Sequence, residues 1–186
     1  MDNDYGKKIG LALRAVDQLH ADSTRLLRDF DGRMTGCTSL FGTTVTKDVA
    51  YSINRSDFMA VGLFRYYVKK NMPNSTWGLN ICFVDPKIDE PLIIVGEITY
   101  KDPAQEACQG WDLWFLYFGA TEVPVHHTLL EVQGPGPGAS PQQYPHPGKV
   151  LSARVIGVPL YEIQRLDDVE ALMKRVSVGS NELVPA

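Results

Sequence analysis

Apolar side chains recur at helical spacing through residues 9–34, and this pattern constrains the fold more than any other part of the chain. The stripe consists of Ile9, Ala12, Val16, Leu19, Leu26 and Phe30, with Ser23 in its one polar position and Leu13, His20, Leu27 and Met34 along one flank. Steps of three and four residues return to one side of an α-helix every two turns. A helix from about Asp4 to Asp31 would extend roughly 40 Å, about twice the length of an ordinary strand. Such a helix overhangs any sheet on which it packs, and the overhang needs another partner.

A coiled coil is the other interpretation of this stripe, but it requires three or four uninterrupted heptads. Ser23 and Arg33 occupy seam positions, and the broad flank from Leu13 to Met34 fits burial against a sheet. We therefore expect the helix to be mainly a core element. Its surplus length predicts a homodimer formed through the N-terminal helix.

Composition indicates an ordinary globular chain of 186 residues, with 44% hydrophobic and 22% charged residues. We expect one domain over residues 1–178 and a loose tail over 179–186. The net charge of −4 predicts no global attraction to nucleic acid or an anionic membrane, although a local basic patch could still exist. Three cysteines without CxxC spacing predict free thiols in a reducing compartment, and no segment has the pattern of a signal peptide or a membrane span. The sequence thus predicts a soluble, cytoplasmic protein without a cofactor or a membrane partner.

The rest of the chain reads as strands followed by one short helix at Asp167–Val176. The predicted strands are Thr43–Ile53, Phe58–Lys70, Thr76–Val84, Leu92–Tyr100, Trp111–Phe118, His126–Val132 and Val150–Val158. Phe58–Lys70 could also be a helix capped by Ser56 or Asp57. Short connections favour antiparallel neighbours. The expected fold is α+β: a mostly antiparallel, meandering sheet of five to six strands, with the long helix on one face and the short C-terminal helix.

Residues 134–148, GPGPGASPQQYPHPG, contain five prolines and four glycines. This composition excludes a helix or a central strand and predicts an exposed loop. A functional alternative is a proline-rich segment that docks on an aromatic groove, with Tyr144 and His146 at the contact.

Asp85, Glu97 and Lys101 are the strongest candidates for catalysis. A carboxylate at one strand end, with a glutamate and a lysine on the next strand, resembles the metal-binding core of the PD-(D/E)xK nucleases. The resemblance implies a divalent metal bound by oxygen ligands and a lysine near the attacking water. The sequence departs from the pattern, because Thr99 stands where the family has its lysine. His127 is a further candidate for a hydrolytic site.

Arg65 and Asp112 are single charges within otherwise apolar predicted strands. A buried charge is costly unless it is paired, so we expect the two either to form a buried ion pair or to orient a polar ligand. Aromatic residues on four neighbouring predicted strands would supply the core or a ligand groove. The residues expected to bind a ligand are Arg65, Trp77, Asp112, Trp114 and Tyr144.

The chain contains neither a phosphate-binding glycine loop nor a Gly-x-Ser-x-Gly nucleophile motif. We therefore expect a non-enzymatic module that binds a protein partner or a small ligand and self-associates. The alternative is a metal-dependent, nuclease-like hydrolase with its site near Asp85 and Glu97.

Overall fold

The structure is a computed structural model that describes residues 3–45, 60–121, 123–134 and 149–177. Within these ranges six strands form one antiparallel sheet in the order β1-β2-β3-β4-β6-β5. The strands are β1 (Cys37–Ser39), β2 (Gly62–Lys69), β3 (Met72–Cys82), β4 (Leu92–Tyr100), β5 (Leu129–Gln133) and β6 (Val150–Pro159). The helices are α1 (Asn3–Arg33), α2 (Ala104–Ala107), α3 (Asp112–Ala120) and α4 (Leu166–Ser177), and a 3₁₀ turn spans Leu160–Glu162.

Helices cover both faces of this sheet. The second half of α1 and all of α4 pack on one face, where Leu27, Phe30 and Val169 are buried. Helices α2 and α3 pack on the other face through side chains such as Ala104, Leu113 and Tyr117. The central strands are therefore buried on both sides, which explains why Leu92–Tyr100 is an almost unbroken apolar run.

The predicted α+β fold is confirmed. The strand prediction for Leu92–Tyr100 agrees with β4, and the helix prediction for Asp167–Val176 agrees with α4 to within one residue at each end. The ambiguous Phe58–Lys70 contains strand β2. The meander ends after β4, because β6 lies beside β4 and β5 occupies the outer edge.

The strand predicted at Trp111–Phe118 is wrong, because this segment forms helix α3. A run that is apolar on every side has no period that distinguishes a buried strand from a buried helix. Here the sheet supplies the apolar partner for one side of the helix, and Leu113, Leu116 and Tyr117 are buried against it. The aromatic residues of this segment therefore lie on a helix above the sheet.

Side chains from the sheet satisfy the N-terminal backbone of α3. The Tyr66 hydroxyl accepts a hydrogen bond from the Leu113 N–H at 2.8 Å, and it donates to Asn80 Oδ1 at 2.9 Å. Asn80 Oδ1 also accepts from the Trp114 N–H at 3.2 Å, and Asn80 Nδ2 donates to the Gly110 carbonyl at 2.8 Å. The first amide groups of a helix have no hydrogen-bond partner within that helix. Tyr66 and Asn80, both in strands, therefore take the place of a helix-capping residue.

Arg65 and Asp31 connect α1 to the sheet. The Arg65 guanidinium donates to both carboxylate oxygens of Asp31, at 2.9 and 2.7 Å, and also to the Gly42 carbonyl. The Tyr67 hydroxyl donates to the same carboxylate. The Arg65 side chain is 5% exposed and that of Asp31 is 40% exposed, so the ion pair lies at the boundary of the core.

The predicted pairing of Arg65 with Asp112 is wrong, because the two residues lie on opposite faces of the sheet. Asp112 accepts hydrogen bonds from the Tyr100 hydroxyl at 2.7 Å and from the Gln109 N–H at 2.8 Å. Burial raises the pKa of Tyr100 far above its usual value, so its hydroxyl remains a hydrogen-bond donor to the carboxylate. Each charge found within an apolar stretch has its own structural partner.

Other predictions are only partly met or fall outside the described residues. Thr43–Val45, the start of the strand predicted to end at Ile53, does not form a strand, and residues 46–53 are not described. The strand predicted from His126 begins only at Leu129. The loop at residues 135–148 and the tail at 179–186 also lie outside the described residues. None of the described helices has the length and apolar character needed to cross a bilayer.

Gly96→Ala should destabilise the fold by about 2 kcal/mol, because overpacking a core forces side chains and backbone apart. An added Cβ would lie 2.5 Å from Leu113 Cδ2 and 2.8 Å from the Arg154 carbonyl oxygen. Urea unfolding measures the change. The control is Gly32→Ala in α1, where nothing lies within 4 Å of an added Cβ, so stability should stay the same or rise by up to about 1 kcal/mol. Equal effects of the two substitutions would contradict this packing.

Asp31→Ala should lower the free energy of unfolding by about 3 kcal/mol, because it leaves the buried Arg65 guanidinium without its counter-charge. The control is Asp17→Ala, which removes an exposed carboxylate from the same helix and should change stability by less than about 0.5 kcal/mol. A value for Asp31→Ala within that same range would show that the ion pair does not hold α1 to the sheet.

Candidate functional site

The first half of α1 extends past the sheet. Residues 4–16, here called the helix overhang, are exposed except for the half-buried Gly10 and Val16. The second half of the same helix is different, because Ser23, Leu27 and Phe30 are buried against the sheet. At 1.5 Å per residue the overhang is roughly 20 Å long.

The helix overhang carries apolar side chains that nothing in the described structure covers. Tyr5 is 59% exposed and Leu13 is 61% exposed, and Ile9 and Leu11 are also exposed. These are four of the ten large apolar side chains that the described residues expose. Tyr5, Ile9 and Val16 continue the same face of α1 that is buried farther along the helix. The overhang therefore presents an apolar face that no described residue covers.

The helix overhang is also basic and contains two glycines. Lys7, Lys8 and Arg14 outnumber the single acid, Asp4, which pairs with Lys8 at 2.8 Å. Nothing lies within 4 Å of a Cβ built on Gly6, and only the Arg14 side chain approaches one built on Gly10. Within the described residues, a larger side chain would therefore fit at both Gly6 and Gly10.

A groove runs beside the other half of the same helix. This helix groove has a volume of about 420 Å³ and lies between α1 and the segment that joins β6 to α4. Its apolar lining comprises Leu19, Leu26, Pro91, Leu160, Tyr161, Ile163 and Leu166. Leu19 and Leu26 belong to the apolar stripe of α1 but are only half-buried, and Tyr161 is 68% exposed. The groove therefore offers an apolar floor that is open to solvent.

Charged groups stand at the rim of the helix groove. Asp22 forms an ion pair with Arg25 at 2.7 Å, and Arg165 lies on the opposite wall. Asp29 is exposed on the α1 side and makes no ion pair within the described residues. Small polar ligands usually require polar groups that converge inside a pocket. An apolar floor with charges only at its rim is instead typical of a site for an amphipathic helix.

The structure does not bring the predicted catalytic residues together. Asp85 lies in the β3–β4 connection, where it accepts a hydrogen bond from the Lys87 N–H at 2.8 Å. Glu97 pairs with Trp77, five residues after Leu92, the first residue of β4. It therefore lies about 17 Å along the strand from the end of β4 that adjoins the β3–β4 connection. Lys101 follows the end of β4 and is exposed. In the ranges that the structure covers, no three His, Cys, Asp or Glu side chains are grouped so that they could hold a metal ion.

His127 lies on the surface at a turn and not within a strand. Its backbone has a φ of 59°, and its Nε2 lies 3.2 Å from Glu162 Oε2. Its carbonyl oxygen accepts a hydrogen bond from Arg175 at 2.7 Å. His127 thus connects the 3₁₀ turn and α4 to the segment before β5. These contacts give the residue a structural role.

The predicted ligand-binding residues do not form one pocket. Trp77 is buried on the α1 face, whereas Asp112 belongs to the opposite face. Trp114 is half-buried on α3, with its ring 5.5 Å from that of Trp111 in an edge-to-face contact. Tyr144 lies outside the described residues.

Sequence reasoning identified one side of the candidate site and missed the other. The stripe that contains Leu19 and Leu26 was visible from its period, and so was the surplus length of the helix. The opposite wall comes from Pro91 and residues 160–166, which are distant from α1 in sequence. Only the fold brings these segments together, and no motif in the sequence marks them.

Comparison with protein-family models, with curated proteins and with solved structures finds no significant match to this chain. The case for function therefore rests on the helix overhang and the helix groove.

Proposed function

We propose that this protein is a non-enzymatic, self-associating binding module whose helix groove takes an apolar helical segment of a protein partner. The observation that carries the proposal is the half-buried pair Leu19 and Leu26, which forms an open apolar floor of suitable size. An amphipathic helix binds such a groove through residues spaced three and four apart.

The chemistry of the rim supports a helix in preference to a small molecule. The charged side chains beside the groove, among them Asp29 and Arg165, are exposed, and the one buried polar side chain of its lining, Ser23, carries no charge. A helix of moderate length can bury its apolar side on the floor and leave its charges at the rim. The same charges would then select the partner and its orientation.

A cytoplasmic location is part of the proposal. Cys37, Cys82 and Cys108 form no disulfide bond, which is usual for cysteines in a reducing compartment. Burial raises the pKa of the Cys82 thiol well above its usual value, so this group is a poor nucleophile. That property suits a structural role better than a catalytic one.

A fluorescent amphipathic peptide made of leucine and lysine, with its leucines at helical spacing, should bind saturably and with micromolar affinity. The titration is made on the Ile9→Asp variant, in which the apolar face of the overhang is disrupted and cannot compete for the groove. A further Leu26→Asp substitution should weaken binding at least tenfold, because one buried leucine contributes about 2 kcal/mol.

The matched control for this titration is Leu151→Asp, which changes a 53% exposed leucine on β6 and should leave binding unchanged. Tyr161→Ala removes an exposed side chain from the other wall, so it tests the groove even if Leu26→Asp unfolds the protein. Absence of saturable binding, or binding that neither groove substitution weakens, would refute the proposed function.

A further inference from the structure

We infer that the partner of the helix groove is a second copy of this chain. Each copy lays its helix overhang in the groove of the other, and the two α1 helices run antiparallel about a two-fold axis. The inference rests on the proposed function, since it names the occupant of the same groove. Every chain carries both the overhang and the groove, which is the requirement for a closed symmetric dimer.

The lengths of the two surfaces match. Helix α1 has 31 residues, with the overhang at residues 4–16 and the α1 side of the groove at residues 19–29. Antiparallel pairing over the full helix places Asn3 opposite Arg33 of the second copy. Each overhang then lies alongside the groove-lining half of the other helix. One two-fold rotation therefore fills both grooves and covers both overhangs.

The sides of the helix also match. Lys8 and Leu26 point in the same direction from α1, because 18 residues make five full turns. Ala15 lies on that side as well, 11 residues or about three turns before Leu26. When Leu26 of one copy faces the second helix, the small Ala15 and the stem of Lys8 face back toward it. The small side chain of Ala15 on this side of α1 allows the two helix axes to approach closely.

The exposed apolar face of the overhang then meets the other wall of the groove. Tyr5, Ile9 and Val16 point roughly a quarter turn away from the Lys8 side of the helix. In the dimer this direction leads to the wall that includes Tyr161 and Leu166 of the second copy. Both apolar surfaces that the monomer leaves open are thus buried in one contact.

Charge complementarity fixes the orientation. In the full-length antiparallel pairing Lys8 lies opposite Arg28 of the second copy, one residue from its Asp29. Asp29 has no ion pair of its own within the described residues. The present partner of Lys8 is Asp4, in an exposed pair worth little. Two Lys8–Asp29 pairs would form in the dimer, one at each end.

Pairing between two overhangs alone is the competing arrangement. It would bury only residues 4–16 of each helix and would leave Leu26 and Tyr161 of the groove exposed. This arrangement does not involve Asp29, so substitutions in the groove distinguish the two dimers.

Light scattering at micromolar concentration should give twice the mass of the chain for the unmodified protein. Ile9→Asp, in the overhang, and Leu26→Asp, in the groove, should each weaken the dimer about 1000-fold, because each substitution damages two equivalent contacts of about 2 kcal/mol. An equimolar mixture of the two variants should form a heterodimer, since it retains one intact overhang in one intact groove. Both substitutions then fall in the same contact, where their effects do not add, so sedimentation should find the heterodimer about 30-fold tighter than either variant alone.

Charge reversal tests the register. Lys8→Glu should weaken the dimer about tenfold, and Lys8→Glu combined with Asp29→Lys should restore it to within about twofold. Asp17→Lys is the control of equal charge change, because Asp17 is exposed and lies two and a half turns after Lys8, on the opposite side of α1, and it should have no effect. These exposed substitutions leave the core intact, which far-UV circular dichroism verifies.

A monomeric unmodified protein, a Leu26→Asp variant that remains dimeric, or a mixture that remains monomeric would each overturn the inference. If the helical peptide still saturates the groove in those cases, the groove remains a site for a helical partner and only the identity of that partner is wrong. A monomeric protein would in addition remove self-association from the proposed function. If the peptide does not bind either, both proposals fail.

Discussion

Arg65 holds the carboxylate of Asp31 at the boundary of the core, and the rest of α1 depends on this contact. The guanidinium makes two hydrogen bonds to the carboxylate, and Tyr67 adds a third. Fixing the helix near its C-terminal end leaves the opposite end beyond the sheet. The helix overhang and the α1 side of the helix groove are thus two consequences of one attachment point, since both belong to the same helix.

The two faces of the sheet differ in how their helices are attached. On one face α3 is joined to the sheet by the buried hydrogen bonds of Tyr66 and Asn80, and it packs close to Gly96. Such a network is costly to break, because each unsatisfied buried group loses its hydrogen bonds to water as well. On the other face α1 covers the sheet with only part of its length. The fully covered side forms a hydrogen-bonded part of the core, and the incompletely covered side carries the surface that we propose for association.

Much of the fold follows from periodicity, whereas the site depends on contacts between distant segments. The three-and-four stripe predicted α1, and the β-branched run at Leu92–Tyr100 predicted β4. The strand expected at Trp111–Phe118 is wrong, because a segment whose single polar residue is Asp112 shows no period. The sequence marked Arg65 as a costly charge but not its partner, since Asp31 lies at the end of a helix that was interpreted by its apolar side. The wall of the groove at residues 160–166 carries no motif.

Gly6 and Gly10 make the helix overhang a poor helix on its own. Each glycine within a helix costs about 0.5–1 kcal/mol relative to alanine, and a segment this short gains little from cooperativity. No neighbouring side chain in the described structure requires either glycine. In the proposed dimer the second copy supplies the stability that the glycines remove. If the dimer forms as proposed, ordering of the helix overhang and association are coupled, so a higher protein concentration favours both.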